Sequence, residues 1–77
     1  MQTMRHVFIK TEPVELFKLL KFEGLVASGG EAKHVISNGL VLLNGEVETR
    51  KRKKIIAGDV VEFSDNKMQL SINEEHE

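Results

Sequence analysis

Five consecutive cations, Arg50-Lys51-Arg52-Lys53-Lys54, stand in a chain of 77 residues that holds 11 Lys and Arg in all. Adjacent like charges repel, so such a run is worth holding in place only where an anion compensates it. Arg can donate two parallel hydrogen bonds to phosphate oxygens and Lys acts as a compact point charge, so the mixture suits a polyphosphate ligand. Drawn out as extended chain, Arg50, Arg52 and Lys54 share one side and Lys51 and Lys53 the other, which turns about three of them toward a single ligand. Lys33 adds a cation, and His34 a ring N–H donor. Gly29 and Gly30 open a helix, where backbone N–H groups can receive a phosphate with no side chain in the way. The candidate binding residues are therefore Lys33, His34, Arg50, Lys51, Arg52, Lys53 and Lys54, with Gly29 and Gly30 as a phosphate contact.

Catalytic chemistry finds no comparable constellation. There is no Cys to act as nucleophile or metal ligand. His6, His34 and His76 are scattered, with no acid at ligand-like spacing, and read as surface residues. The serines sit in no nucleophile motif, and the glycine pair lacks the Lys-Ser/Thr of a P-loop. Asp59 and Glu62 read as turn and strand residues. The expectation is a protein that is not an enzyme, with no catalytic residue, metal or cofactor.

The formal net charge of −1 on its own argues against a nucleic-acid partner. The distribution reverses that impression, because the cations are concentrated at residues 50–54 while Glu74, Glu75 and Glu77 crowd the C-terminus. A chain this short supports one domain with one modest core, burying roughly 60% of its unfolded surface, so residues 1–77 are expected to form a single unit with 73–77 as a frayed acidic tail. The longest apolar run, Leu40 to Leu43, is far too short to span a bilayer. A signal peptide is likewise not evident, and a cytoplasmic location follows as the expectation.

The elements that must position these residues are legible from local chemistry. Val7-Phe8-Ile9 is a short β-prone lead. Thr11-Glu12-Pro13 is expected to start a helix, Pro suiting a first turn and Glu15 the positive end of the dipole. Leu16, Leu19 and Leu20 form its core stripe, with Phe17 and Phe22 on the flanks and Gly24 as terminator. Leu25 and Val26 plug the connection. Ser28 and Glu31 form a capping box that starts a second helix, Ala32, Val35 and Ile36 make its apolar face, and Asn38-Gly39 ends it. Leu40 to Leu43 reads as a strand, Asn44-Gly45 as a type I′ hairpin turn, and Glu46 to Thr49 as the return strand. Val60 to Phe63 and the alternating Met68, Leu70 and Ile72 predict a final hairpin. With neither Trp nor Tyr present, and with Phe8, Phe17, Phe22 and Phe63 all in apolar patterns, the aromatics are expected in the core and base stacking is not the main binding mode. Leu40 and Leu42 are expected to pack against the Val7–Ile9 lead.

This order of helix, Gly stop, strand and Asn-Gly turn resembles the αL RNA-binding domain, the family named after small-subunit ribosomal protein S-four. The resemblance runs from about Val14 to Phe63 and includes Ala32, Ile36, Gly39, Val41, Asn44-Gly45 and Gly58-Asp59-Val60. Over nearly its whole length the chain is similar to the stand-alone YbcJ-type bacterial subfamily. The resemblance implies an α+β fold, with two short crossed helices packed on a small, mostly antiparallel sheet. It also implies a non-catalytic module that grips structured RNA, ribosomal or transfer, through phosphate and shape contacts. A solitary module of this kind resembles an accessory or ribosome-assembly factor, here expected to be monomeric. Two departures stand out: Gly29-Gly30 where the family often carries Ser-Arg or Arg-Arg, and Leu40 where it often has a basic residue. Two other readings remain open, a protein adaptor using an exposed Leu40/Leu42 strand edge and the basic run on an acidic partner, and a specificity subunit of an RNA-modifying enzyme.

Overall fold

The structure, a computed structural model, describes residues 3–10 and 13–72. Strand β1 (Thr3–Ile9) is followed by β2 (Val14–Glu15), helices α1 (Leu16–Phe22) and α2 (Gly29–Ser37), and strands β3 (Val41–Leu43), β4 (Glu46–Val47), β5 (Lys54–Ile55), β6 (Val60–Phe63) and β7 (Asn66–Ile72). Five strands form one sheet in the order β1-β7-β6-β3-β4, and β2 pairs with β5 as a separate two-stranded ribbon. All pairings are antiparallel except β1 with β7, which run parallel from Thr3↔Asn66 to Ile9↔Ile72. The architecture is the expected α+β arrangement of two short helices with a mostly antiparallel sheet.

The core follows from the periodicities. Leu16, Leu19 and Leu20 from α1, and Ala32, Val35 and Ile36 from α2, are buried in one cluster with Val41, Ile55, Val61, Met68, Leu70 and Val7 from the strands. Alternation along β7 puts Met68 and Leu70 inside, as a half-buried strand requires. Helix α2 begins at the expected Ser28 cap, whose Oγ accepts from the Glu31 N–H at 3.1 Å, but Glu31 Oε1 reaches one residue further back than a capping box requires, accepting from the Ala27 N–H at 2.7 Å. The connection between the helices turns at Gly24 (φ +74), with Val26 buried and Leu25 packed on the cluster.

Helix α1 differs from expectation. It starts at Leu16, not near Pro13, because Val14 and Glu15 are extended and paired with Ile55 and Lys54; Thr11 and Glu12 lie outside the described residues. Proline lacks a donor N–H and fixes its φ, so Pro13 fits the entry to a strand as well as a first helical turn. The return strand after the Asn-Gly turn is also shorter than expected, ending at Val47. Leu42 is not at an edge: β3 lies between β6 and β4. Nor do Leu40 and Leu42 meet the lead strand, which pairs with β7 on the far side of β6. The acidic stretch 73–77 lies outside the described residues.

The β3–β4 turn is locked to the rest of the sheet by one side chain. Asn44 takes φ 53 and Gly45 φ 86, the pair of positive values a type I′ turn demands. Asn44 Oδ1 accepts from the Val60 N–H at 2.8 Å, and its Nδ2 donates to Asp59 Oδ1 at 3.1 Å. Asp59 in turn accepts from the Ile56 N–H at 3.0 Å, closing the turn before β6. Asn44→Ala is expected to cost about 2 kcal/mol, by losing both hydrogen bonds and leaving an alanine in the left-handed region, whereas Asn44→Gly loses only the bonds and costs about 1 kcal/mol. Urea midpoints of the two variants check this, and equal losses would show that backbone strain plays no part.

Candidate functional site

The cation run is not extended. The Lys53 N–H donates to the Arg50 carbonyl at 3.2 Å, so residues 50–53 close a turn, and the expected sharing of one side by Arg50, Arg52 and Lys54 is lost. A turn wins because the run's backbone is already claimed. The Leu16 N–H donates to the Lys53 carbonyl at 2.9 Å and the Phe17 N–H to the Lys51 carbonyl at 3.1 Å, while Lys54 enters β5 opposite Glu15. Helix α1 has no side-chain cap, so these carbonyls serve as partners for first-turn donors that a helix cannot satisfy itself.

The five cations thereby take different roles. Arg50 is bound to Glu48: its Nε donates to Oε2 at 2.9 Å, its Nη2 to Oε1 at 3.1 Å, and its backbone N–H to Oε2 at 2.9 Å. Glu48 is buried, and the Arg50 hydrogen bond holds its carboxyl well below its ordinary value of 4.5, at about 2, against the opposing effect of burial and with help from the nearby charge of Lys53. The same hydrogen bond raises the guanidinium of Arg50. Arg50 is thus a neutralised tether between the end of the hairpin and the turn. Lys51, Arg52 and Lys54 are exposed and Lys53 is half-buried.

Arg52 points back to α1. Its Cζ lies 5.5 Å from the centroid of the Phe17 ring, which also has Lys33 Nζ at 4.8 Å and Lys18 Nζ at 5.9 Å. One half-buried aromatic ring therefore gathers cations from α1, α2 and the turn, an arrangement stabilised by the negative face of the ring. Glu15 shares the load, with Lys18 at 3.3 Å and Arg52 at 3.8 Å. Phe17 was expected only as a flank of the core stripe; it does pack on the core, but its ring is also what brings Lys33 to Arg52.

The remaining candidates sit at the two ends of α2. A methyl group at Gly29 would lie 3.9 Å from the Phe17 ring, so the N-terminus of α2 adjoins the cation cluster. His34 is exposed, its Nε2 is 3.1 Å from Asn38 Nδ2, and its carbonyl accepts from the same amide at 2.9 Å. It belongs to the C-terminal cap, away from the ring contacts that hold Lys33. Phe8 and Phe22, expected in the core, are 63% and 71% exposed. No three His, Asp or Glu side chains converge as a metal site among the described residues.

With this geometry in place, the S4 domain family model matches residues 7–71. The chain belongs to the S4 domain family. The match extends beyond both ends of the Val14–Phe63 stretch on which the sequence resemblance rests, taking in the lead strand and β7. Among curated S4-domain relatives, YbcJ from Escherichia coli (strain K12) is 51% identical over 57 residues, covering 74% of this chain and 81% of YbcJ. A second relative bears the name Probable ribosome maturation protein RlbA, from Bacillus subtilis (strain 168), and is 41% identical over 57 residues, covering 74% of this chain and 80% of that protein. The solution structure of E. coli YbcJ, described as revealing an αL motif involved in RNA binding, superposes with a TM-score of 0.63 at 42% identity, covering 92% of this chain and 89% of that one.

The Glu48–Arg50 pair gives this S4 domain an acid-sensitive contribution to stability. A carboxylate whose pKa is about 2 when folded and ordinarily 4.5 contributes fully above pH 4.5, and the contribution disappears as pH falls toward 2. Glu48→Gln should flatten that part of the curve of urea midpoint against pH while lowering stability at pH 7. A variant that keeps the wild-type acid profile would show that the pair carries no such linkage.

Proposed function

We propose that this S4 domain is a non-catalytic RNA-binding protein that grips folded RNA by phosphate and shape contacts, across the surface formed by the start of α2 and the turn at residues 50–54. The observation that carries the reading is the convergence of Lys33 and Arg52, from separate elements, within 5.5 Å of one ring centroid, beside the exposed Lys51 and Lys54. The cluster holds cations in excess of the acid nearest to it, and backbone hydrogen bonds fix its base, so little ordering entropy is lost on meeting phosphates. Gly29 and Gly30 lead α2 at the border of the cluster, ahead of the Glu31 and Ala32 N–H groups that Ser28 engages, and are assigned a supporting phosphate contact. Lys53 adds to the field and His34 lies at the margin of the contact.

The RNA-binding description of YbcJ and the ribosome-maturation name of RlbA support a folded ribosomal RNA as the target, with transfer RNA as the alternative, and a role in assembling the ribosome. Residues 1–77 would act as one domain, as a monomer in the cytoplasm. No described helix is long and apolar enough to cross a membrane.

Four phosphate contacts, from Lys33, Lys51, Arg52 and Lys54, imply a log–log salt slope for binding of roughly three to four. Lys33→Ala with Arg52→Ala should weaken binding uniformly across folded RNAs and lower that slope by about two, leaving the urea midpoint nearly unchanged. Filter binding to a structured ribosomal RNA fragment between 50 and 200 mM salt (about a fourfold range) checks this. Undiminished binding by the folded double variant would overturn the site.

A further inference from the structure

The two exposed phenylalanines line one open groove of about 740 Å³, between the end of β1 and the outer face of α1. Ile9, Val14 and Leu19 supply apolar wall, and Lys10, Lys18 and Lys54 also line it. Phe8 and Phe22 are 63% and 71% exposed, in a chain whose other two phenylalanines pack on the core. Large apolar groups left in water are informative when they gather in one depression rather than scatter singly. The groove falls within the size range of small-molecule sites, roughly 300–1,000 Å³.

The charge of the groove narrows what can fill it. Among the described residues two acids line it, Glu15 and Glu23. Glu15 is already engaged by Lys18 and Arg52, so among the described lining residues Lys10 and Lys54 outweigh Glu23 and their balance is positive. The groove is also continuous with the cation cluster. Lys54 belongs to the basic run, and Lys18 both lines the groove and lies over the Phe17 ring. Aromatic surface beside ammonium groups is the combination that holds an unpaired base and its phosphate, without demanding a particular base.

We propose that this groove takes an unpaired nucleotide of the bound RNA, its base against Phe8 and Phe22 and its phosphate against Lys54 and Lys10. The proposal rests on the RNA-binding reading and adds to it a preference for a junction between folded and single-stranded RNA. The cation cluster grips the folded part, and the groove reads the strand that leaves it.

The test uses the full chain and three RNAs: a blunt hairpin, the same hairpin with a short unpaired extension, and that extension made abasic. The wild-type protein should bind the base-bearing extension about tenfold more tightly than the blunt hairpin, and the abasic extension should lose most of that gain. Phe8→Thr with Phe22→Gln suits an exposed strand and an exposed helix position, and should bind all three RNAs at the blunt-hairpin affinity. Should the pair disturb folding, Phe22→Gln alone must still reduce the preference. Equal wild-type affinity for base-bearing and abasic extensions, or a preference that survives in the double variant, overturns the proposal while leaving the phosphate grip intact. Absence of binding to any hairpin by the folded wild type removes both.

Discussion

The hydrogen bonds from the Leu16 and Phe17 N–H groups to the carbonyls of Lys53 and Lys51 are the contacts on which the rest of the arrangement depends. A helix of seven residues is too short to persist by propensity, and its first donors need partners from outside. Here those partners are the backbone of the most charged segment in the chain. The helix start and the cationic turn therefore fix one another: α1 supplies donors that anchor the turn, and the turn completes α1. The β2–β5 ribbon extends the same contact by two residue pairs, Val14 with Ile55 and Glu15 with Lys54.

That arrangement brings like charges together, and the surrounding residues offset the repulsion without cancelling it. Glu48 neutralises Arg50 with a two-pronged contact, and Glu15 offers one carboxylate to both Lys18 and Arg52. Phe17 attracts cations without adding a negative charge. Contacts of this kind at exposed sites are worth only about 0.5–1 kcal/mol each, and exposed ion pairs about as little. A polyanion can therefore displace or share them at small cost, so the cluster is held in shape yet remains available.

Much of this frame was legible in the residue order. The helix cap at Ser28, the Gly39 stop and the Asn44-Gly45 turn each depend on chemistry confined to a few neighbouring residues, and all three stand where local reasoning puts them. The departures arise where a distant partner decides. Pro13 is compatible with either a helix start or a strand entry, and only β5, some forty residues later, selects the strand. The cation run gives no local sign of turning, because its conformation is set by donors on α1. Glu48 falls within the expected return strand, where spacing alone gives no sign that its carboxylate is buried and held by Arg50 two residues later. Phe17 is a core flank by spacing, and its second role depends on Lys33 and Arg52 arriving from elsewhere. Phe8 and Phe22 look like core from hydrophobicity alone, a signal that cannot separate a buried ring from one lining an open groove.

The parallel pairing of β1 with β7 joins the first described strand to the last. During synthesis β1 leaves the ribosome well before β7, so the edge against which it must lie does not exist until Ile72 has been added. Loop closure over such a separation is slow compared with local hairpin formation. The hairpins and helices can thus form while the chain is still growing, with the lead strand docking last as the closing step of folding. One wall of the groove holding Phe8 is built only at that step, so a nascent or truncated chain would present the cationic turn before it could present the aromatic cleft.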